Sequence, residues 1–404
     1  MTDGLVQLAD VRAAASLLDG VAIRTPVEGS RFLSAAVGGQ VALKCENLQR
    51  TGSFKIRGAY VRIARLPEPE RRNGVVAASA GNHAQGVALA ATMLGTTSRV
   101  FMPEGAPLPK IAATKAYGAE VELAGVTVDE ALQAAREYAE KCGSVLIHPF
   151  DHADVIAGQG TVGLEILDQV PDLRTVVVCT GGGGLVSGIA VAVKALRPDV
   201  RVVAVQAEQA AAFPASLAAH RPVPLDGMAT IADGIAVGMP GEVTLRHVAA
   251  LVDDVVTVSE EAMSRALLML LERAKLVVEP AGVAAVAAVM ERPEAFEAPV
   301  VAVLSGGNVD PLLMLRVIRH GLIAAGRYLS FRLRIPDRPG ELARLLNVLA
   351  DAGANVLDVE HLRTGPKLHL DEVEVSLQLE TRGAGHCEEV LAALRAERYP
   401  LVFG

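Results

Sequence analysis

The sequence predicts an α/β protein built on parallel sheets covered by helices, followed by a small antiparallel domain. Three observations predict it. From about residue 75 to residue 304, short β-branched runs alternate with helical stretches. These runs are apolar throughout, without polar alternation, which marks strands buried on both faces and hence parallel sheets. After Pro311 the order becomes strand, helix, strand, strand, helix, strand, the split βαββαβ unit of ferredoxin-like folds.

Taken in order, Val75 to Ala78 reads as a strand and Asn82 to Leu94 as a helix. Arg99 to Met102 is the next strand, and Leu108 to Tyr117 the next helix. Further strands are predicted at Ser144 to Ile147, Thr175 to Cys179, Val202 to Val205 and Val300 to Leu304. His320 to Ser330 reads as a connector helix or linker. Beyond it the expected elements are strand 329–335, helix 340–352, strands 356–362 and 372–379, helix 388–398 and strand 400–403.

Length sets the prior for domains: 404 residues exceed one ordinary core. Half the residues are apolar and only 3% are aromatic, with no Trp, a composition that fits a packed α/β protein and excludes disorder. The net charge is −8 and no long basic run is present, so neither nucleic acid nor an anionic membrane is an expected partner. Cys45, Cys142, Cys179 and Cys387 form no CxxC and no zinc-like spacing, as for reduced thiols in a cytosolic protein. Asp3 and Asp10 interrupt any signal-peptide pattern. The uncharged run Thr175 to Val193 is long enough to imitate a membrane span, yet its middle is Gly181-Gly182-Gly183-Gly184. Four glycines suit a strand-loop-helix turn and make a poor lipid-facing helix.

Four segments carry chemistry. Ser53-Phe54-Lys55-Ile56-Arg57-Gly58-Ala59 places one lysine beside an aromatic ring at a helix start. Lysine forms Schiff bases with aldehydes once its amine is held partly desolvated, although the spacing alone also fits a solvated lysine. Cys179-Thr180 and the glycine tetrad lead into a helix beginning near Leu185. Backbone N–H groups and the helix N-terminus there suit a phosphate; a plain flexible turn is the other reading. Ser79-Ala80-Gly81-Asn82-His83-Ala84-Gln85-Gly86 also joins a strand to a helix. It suits a carboxylate and equally an N-cap. Leu304-Ser305-Gly306-Gly307-Asn308 ends an apolar strand. Ligands in open α/β sheets gather at the carboxyl ends of strands, so three such loops can share one crevice with Lys55 at its floor.

Together these segments resemble pyridoxal-phosphate enzymes of the tryptophan-synthase-β type, fold type II. Thr51 to Ala59 and Thr230-Ile231-Ala232-Asp233-Gly234-Ile235-Ala236-Val237 are similar to threonine dehydratases (threonine ammonia-lyases). The resemblance spans roughly residues 10–320. Ile335-Pro336-Asp337-Arg338-Pro339-Gly340-Glu341-Leu342 and Asp351-Ala352-Gly353-Ala354-Asn355-Val356 resemble an ACT regulatory domain. The organisation so implied is a catalytic part over residues 1–320, with a smaller lobe at about 45–150, a linker over 321–328 and the ACT domain over 329–404.

The resemblance implies that Lys55 holds pyridoxal 5'-phosphate and acts as the base at the substrate Cα. Phe54 would pack on the cofactor ring. Gly181, Gly182, Gly183, Gly184 and Leu185 would hold the phosphate, Asn82 the ring hydroxyl and Ser305 the pyridine nitrogen. Ser79, Ala80, Gly81, Asn82 and His83 would line the site of the substrate carboxylate. A hydroxyl partner leaves the ring nitrogen largely unprotonated, which weakens the electron sink and favours β-elimination over transamination. The implied reaction converts L-threonine to 2-oxobutanoate and ammonia, with the cofactor phosphate as acid for the leaving hydroxyl. Similar serine racemases carry serine where this chain has Ala80, so a base for the opposite face is missing and a lyase is expected. An L-serine dehydratase or serine racemase is the alternative enzyme, and an amino-acid sensor the alternative outside enzymes.

Relatives with a divalent cation use acids after the strand at Val202 to Val205, where this chain has Gln206 and Ala210-Ala211-Ala212. Glu208 alone is thin support, and no metal is expected. Glu279, before Pro280 and an Ala-rich helix, reads as an N-cap carboxylate, with a carboxylate pointing toward the cofactor as the other reading. In the ACT part, Asp337, Arg338, Gly340 and Asn355 are the candidate effector residues, with an ordinary turn in a structural domain as the other reading. The resemblance implies isoleucine as inhibitor, valine as its counter-effector and a homo-oligomer, a tetramer in the family.

Overall fold

The computed structural model describes residues 4–363 and 368–402, so Phe403, expected at the end of the last strand, lies outside the described residues. In chain order the strands are β1 (Val27–Gly29), β2 (Val41–Cys45), β3 (Val75–Ala78), β4 (Ser98–Met102), β5 (Glu120–Leu123), β6 (Val145–Leu146), β7 (Thr175–Cys179), β8 (Arg201–Ala207), β9 (Asp254–Val258), β10 (Val300–Leu304), β11 (Tyr328–Pro336), β12 (Asn355–Leu362), β13 (Glu372–Glu380) and β14 (Leu401–Val402). The chain divides into two compact units, one through Met314 and one from Leu315.

The first unit holds two sheets. One has the order β1-β2-β10-β7-β8-β9 and the other β5-β4-β3-β6. All pairings in them are parallel except β1 with β2. β2, β3, β7 and β10 are buried at every residue, which is why they read as unbroken apolar runs. Helices cover the larger sheet: Val162 and Ile166 of the helix Ala153–Gln169, with Val186 and Ile189 of the helix Gly184–Leu196, close the core over Val176, Val178 and Val303. The apolar run from Thr175 is β7, the glycine turn and that second helix. Among the described residues no helix is long and apolar enough to cross a membrane.

β1, β2, β5 and β9 carry no sequence expectation above. β5 and β9 are edge strands, largely exposed or half-buried, so they lack the continuous apolar run that marked the others. The strand expected at Ser144 to Ile147 shortens to β6, two residues paired with β3.

In the second unit β12-β13-β11-β14 form an antiparallel sheet. Phe331, Leu333 and Ile335 alternate inward with Val373, Val375, Leu377 and Leu379 against the helices Glu341–Asp351 and Ala384–Ala396. This is the predicted βαββαβ order, with its first helix at the position expected and its second starting four residues before Glu388. His320 to Ser330 contains the end of the helix Pro311–Ala324, a turn and the start of β11.

Candidate active site

Lys55 opens the helix Lys55–Ala64, and its backbone is fixed from three sides. The preceding turn puts Thr51 at φ 62°, a strained conformation for a β-branched residue. Asn308 locks that turn: its Nδ2 donates to the Thr51 carbonyl at 2.5 Å, and Gly307 N donates to Gly52 O at 2.8 Å. Phe54 N donates to Ser305 O at 3.2 Å, so the end of β10 is stitched to the start of the lysine helix. From the second side, a Cβ on Gly86 would lie 3.1 Å from the Lys55 carbonyl carbon, so the helix Asn82–Met93 rests directly on the Lys55 backbone. On the third, Gly58 and Gly158 bring the helix Ala153–Gln169 against the same segment.

The Lys55 amine donates to the Pro149 carbonyl at 3.0 Å and lies 5.1 Å from the Phe54 ring centre. Burial pushes it down to about 8, with the Glu279 carboxylate opposing the shift. An amine so placed is a usable nucleophile and base near neutral pH.

The glycine tetrad follows β7, and each member is needed for space. A Cβ on Gly182 would overlap the Phe150 ring, one on Gly181 would lie 2.9 Å from Ile235 Cα, and one on Gly184 3.0 Å from Phe150 Cβ. Gly183 has φ +93° and sits at the N-cap of the next helix. Leu185 is buried in the first turn of that helix. The turn therefore presents bare backbone donors at a helix N-terminus, the arrangement that receives a phosphate. Ile235, from the Thr230 to Val237 motif, forms one wall of it.

Asn82 begins its helix and donates to Glu279 Oε1 at 2.5 Å, while its own oxygen accepts from Asn308 Nδ2 at 2.8 Å. This corrects the reading of Glu279 as an N-cap carboxylate. Its backbone does occupy the cap of the helix Pro280–Glu291, but its side chain makes no cap bond. The third-position donor, Gly282 N, bonds the Glu279 carbonyl oxygen at 2.9 Å, and the carboxylate turns to Asn82 instead. Burial raises the Glu279 pKa, against the Asn82 hydrogen bond and the charge of Lys110.

Ser79 Oγ accepts from Gly81 N at 3.1 Å, shaping the turn that carries Ala80. His83 is buried and donates Nε2–H to Ile147 O at 2.8 Å; burial drives it down to about 3, with the Lys55 charge adding to the shift. Its ring is thus neutral and committed to the backbone. Ser305 is buried beside Cys179, whose thiol burial raises to about 11, with Ser305 hydrogen-bonding against that shift.

Phe54 is thus bonded to Ser305, and Asn82 to Asn308 and to Glu279, whose charge acts on the Lys55 amine. Sequence reasoning missed Pro149, Phe150 and the structural part of Asn308. Pro149 acts through its carbonyl, which every residue type carries, so no side-chain pattern announced it.

Elsewhere, Gln206 is tied to the backbone, accepting from Phe213 N at 3.0 Å and donating to Ala210 O at 3.4 Å. Among the described residues no cluster of three or more His, Cys, Asp or Glu is placed to hold a metal. In the second unit Asp337 pairs with Arg363 at 3.1 Å, and Gly340 has φ +93° at the cap of its helix. Arg338 N donates to Pro336 O at 2.9 Å in the same turn. Asn355 bonds Glu380 at 3.1 Å. Register puts Asn355 with Glu380 and Tyr328, at the opposite end of β11 from Pro336, so one chain does not gather these four residues.

The site fits pyridoxal phosphate on its own features: a partly desolvated lysine amine, a turn with no room for side chains at a helix N-terminus, and a buried Ser53 hydroxyl without a partner.

Comparison with known proteins agrees. Residues 18–306 match the family model described as pyridoxal-phosphate dependent enzyme, and residues 330–396 match the ACT domain. An L-threonine ammonia-lyase of Thermotoga maritima is 47% identical over 395 residues, covering 98% of both chains. Threonine deaminase isoform 2 from Solanum lycopersicum superposes with a TM-score of 0.75 at 38% identity, over 78% of this chain and 87% of that one. Maize serine racemase gives 0.74 at 35% identity, over 79% and 98%.

Proposed function

Because the chain belongs to the threonine ammonia-lyase group of pyridoxal-phosphate-dependent enzymes and carries an ACT domain, we propose that it deaminates L-threonine to 2-oxobutanoate and ammonia. It is a lyase, and its cofactor is pyridoxal 5'-phosphate. The observation that carries the proposal is the Lys55 amine, lowered to about 8 and held 3.0 Å from a fixed carbonyl.

When bound, the cofactor supplies a conjugated ring that accepts electron density from the substrate Cα. Gly181 to Gly184 and Leu185 would hold its phosphate through backbone donors, and Phe54, Asn82 and Ser305 its ring. The N–H groups of the Ser79 to His83 turn bind the substrate carboxylate at the start of a helix, where the dipole favours an anion. Lys55, neutral above about 8, takes the Cα proton. The β-hydroxyl leaves as water, and hydrolysis of the remaining carbon–nitrogen bond gives ammonia and the oxo acid. Ser305 offers a hydroxyl where a carboxylate would keep a ring nitrogen protonated, which supports elimination.

Serine racemase is the second reading, given the likeness to the maize enzyme. Ala80 argues against it: racemisation needs an acid–base group on each face, and this position carries a methyl. Threonine and serine differ by one methyl, worth about 1–3 kcal/mol in a pocket. Turnover of L-threonine against L-serine, with chiral analysis of recovered serine, tests the reading. Preferential release of 2-oxobutanoate supports it, and accumulation of D-serine overturns it.

For the ACT domain the proposal is feedback inhibition by isoleucine, opposed by valine, in a cytoplasmic homotetramer. Such regulation requires an effector that binds two states of the enzyme unequally. Deleting residues from about 325 should abolish the response to isoleucine.

A further inference from the structure

The mechanism uses Lys55 but leaves unexplained what holds its amine in place. Among the described residues that amine donates to the carbonyl of Pro149, at 3.0 Å. Pro149 belongs to the connection that leaves the smaller sheet at β6 and reaches the helix Ala153–Gln169 beneath the larger one. This stretch is irregular, yet three contacts fix it.

His148 Nδ1 accepts from Asp151 N at 2.8 Å and from Phe150 N at 3.3 Å. Its ring is neutral because burial pushes it to about 4. Phe150 lies edge-on to His148, 4.6 Å between ring centres, with its ring over Gly182. Asp151 Oδ1 accepts from Val243 N at 2.9 Å and Thr244 N at 3.0 Å. These are first-turn donors of the helix Glu242–Leu251, whose own N-cap is Gly241 and supplies no side chain. A Cβ on Gly241 would overlap the Asp151 carboxylate. The capping group is thus borrowed from a segment more than ninety residues earlier, and the dipole of that helix favours the carboxylate. Pro149, with its ring-restricted φ and no N–H, sits between these anchors.

We propose that Asp151 is a positioning residue for Lys55: by capping the Glu242–Leu251 helix it anchors the loop whose Pro149 carbonyl fixes the amine. The inference rests on Lys55 being the reactive amine. The cap ties the amine to the passage between the two sheets. Glu279, His83 and His148 are the titratable groups that face it.

The test uses the full chain and the variants Asp151→Ala, Asp151→Asn and Asp151→Glu. Asn keeps the acceptor oxygen, whereas Glu pushes it into the space beside Gly241. In cofactor-free protein near neutral pH, acetic anhydride labelling of the Lys55 peptide reports the fraction of neutral amine. Removing a hydrogen bond to a charged group destabilises the charged form, so Asp151→Ala and Asp151→Glu should label about fivefold faster, and Asp151→Asn as the parent chain. In the loaded enzyme kcat should fall about tenfold in Ala and Glu with KM nearly unchanged, and recover in Asn. If Asp151→Ala does not fold, Asp151→Glu alone decides. Parental labelling and kcat in whichever of these two folds would overturn the inference, as would equal losses in Asn and Ala. Borohydride trapping on the parent chain separates the two levels: no Lys55 adduct sinks the functional reading, whereas a Lys55 adduct with unchanged variants sinks only this one.

Discussion

Asn82 donates to Glu279 across 2.5 Å, joining the first residue of a helix on the smaller sheet to the residue before a helix on the larger one. Glu279 is buried, and its carboxylate acts on the Lys55 amine. A buried carboxylate that loses its donor bears the desolvation cost alone. Asn82→Ala should therefore lower unfolding stability of the cofactor-free protein by roughly 1–3 kcal/mol and weaken cofactor affinity. Urea unfolding and cofactor titration measure the two effects. A stability change within about 0.5 kcal/mol would show that Glu279 finds another partner.

Lys55 gives a pH signature. Its amine titrates at about 8 in the fold, against 10.5 ordinarily. Between those values the unfolded chain holds a proton that the folded chain has released, so stability rises with pH across this window. Below about 8 both states are protonated and the penalty of the buried charge is constant. The difference in Tm between cofactor-free protein and its Lys55→Met variant should therefore shift in favour of lysine as pH climbs from about 8 to 10.5. A pH-independent difference contradicts the burial assigned to the amine.

Gly182→Ala places a methyl into the Phe150 ring. Overpacking of this kind costs about 1–3 kcal/mol, and here the ring and the glycine turn must move apart. Cofactor affinity should fall more than tenfold, while the far-UV circular dichroism is retained. Undiminished affinity would place the phosphate elsewhere.

Arg57 is 1% exposed and forks onto two carboxylates, Nε to Glu46 Oε2 at 2.9 Å and Nη1 to Glu165 Oε1 at 2.6 Å. Lys44 completes a neutral quartet by donating to Glu165 Oε2 at 2.6 Å. The carboxylates hold the guanidinium pKa above its usual value, against desolvation, the largest influence. Arg57→Met strands the buried Glu46 carboxylate and leaves the half-buried Glu165 to Lys44 alone, and breaking a buried pair costs about 3–5 kcal/mol. Guanidinium chloride unfolding should show a loss of that size. Loss of activity with parental stability would mean that Arg57 acts at the site itself.

Much of this was legible because buried parallel strands write themselves as apolar runs: β3, β7 and β10 emerge within a residue of their observed bounds, and the loops after them hold the Ser79 to His83 turn, the tetrad and Ser305. β5 and β9 escaped because an edge strand has no such run. The Asn82–Glu279 bond escaped for a different reason. Sequence places Glu279 before Pro280, which suits a cap, but only tertiary structure reveals the amide within reach, 197 residues away. Pro149 and Asp151 act through a carbonyl and a borrowed cap, and neither leaves a local pattern.

The central claim is that Lys55 carries the cofactor aldehyde. Borohydride reduction of the holoenzyme, followed by peptide mass mapping, measures this directly. The account predicts one reduced pyridoxyl adduct, on the peptide containing Lys55, and its absence after Lys55→Ala. An adduct on another lysine, or none in active enzyme, would contradict it.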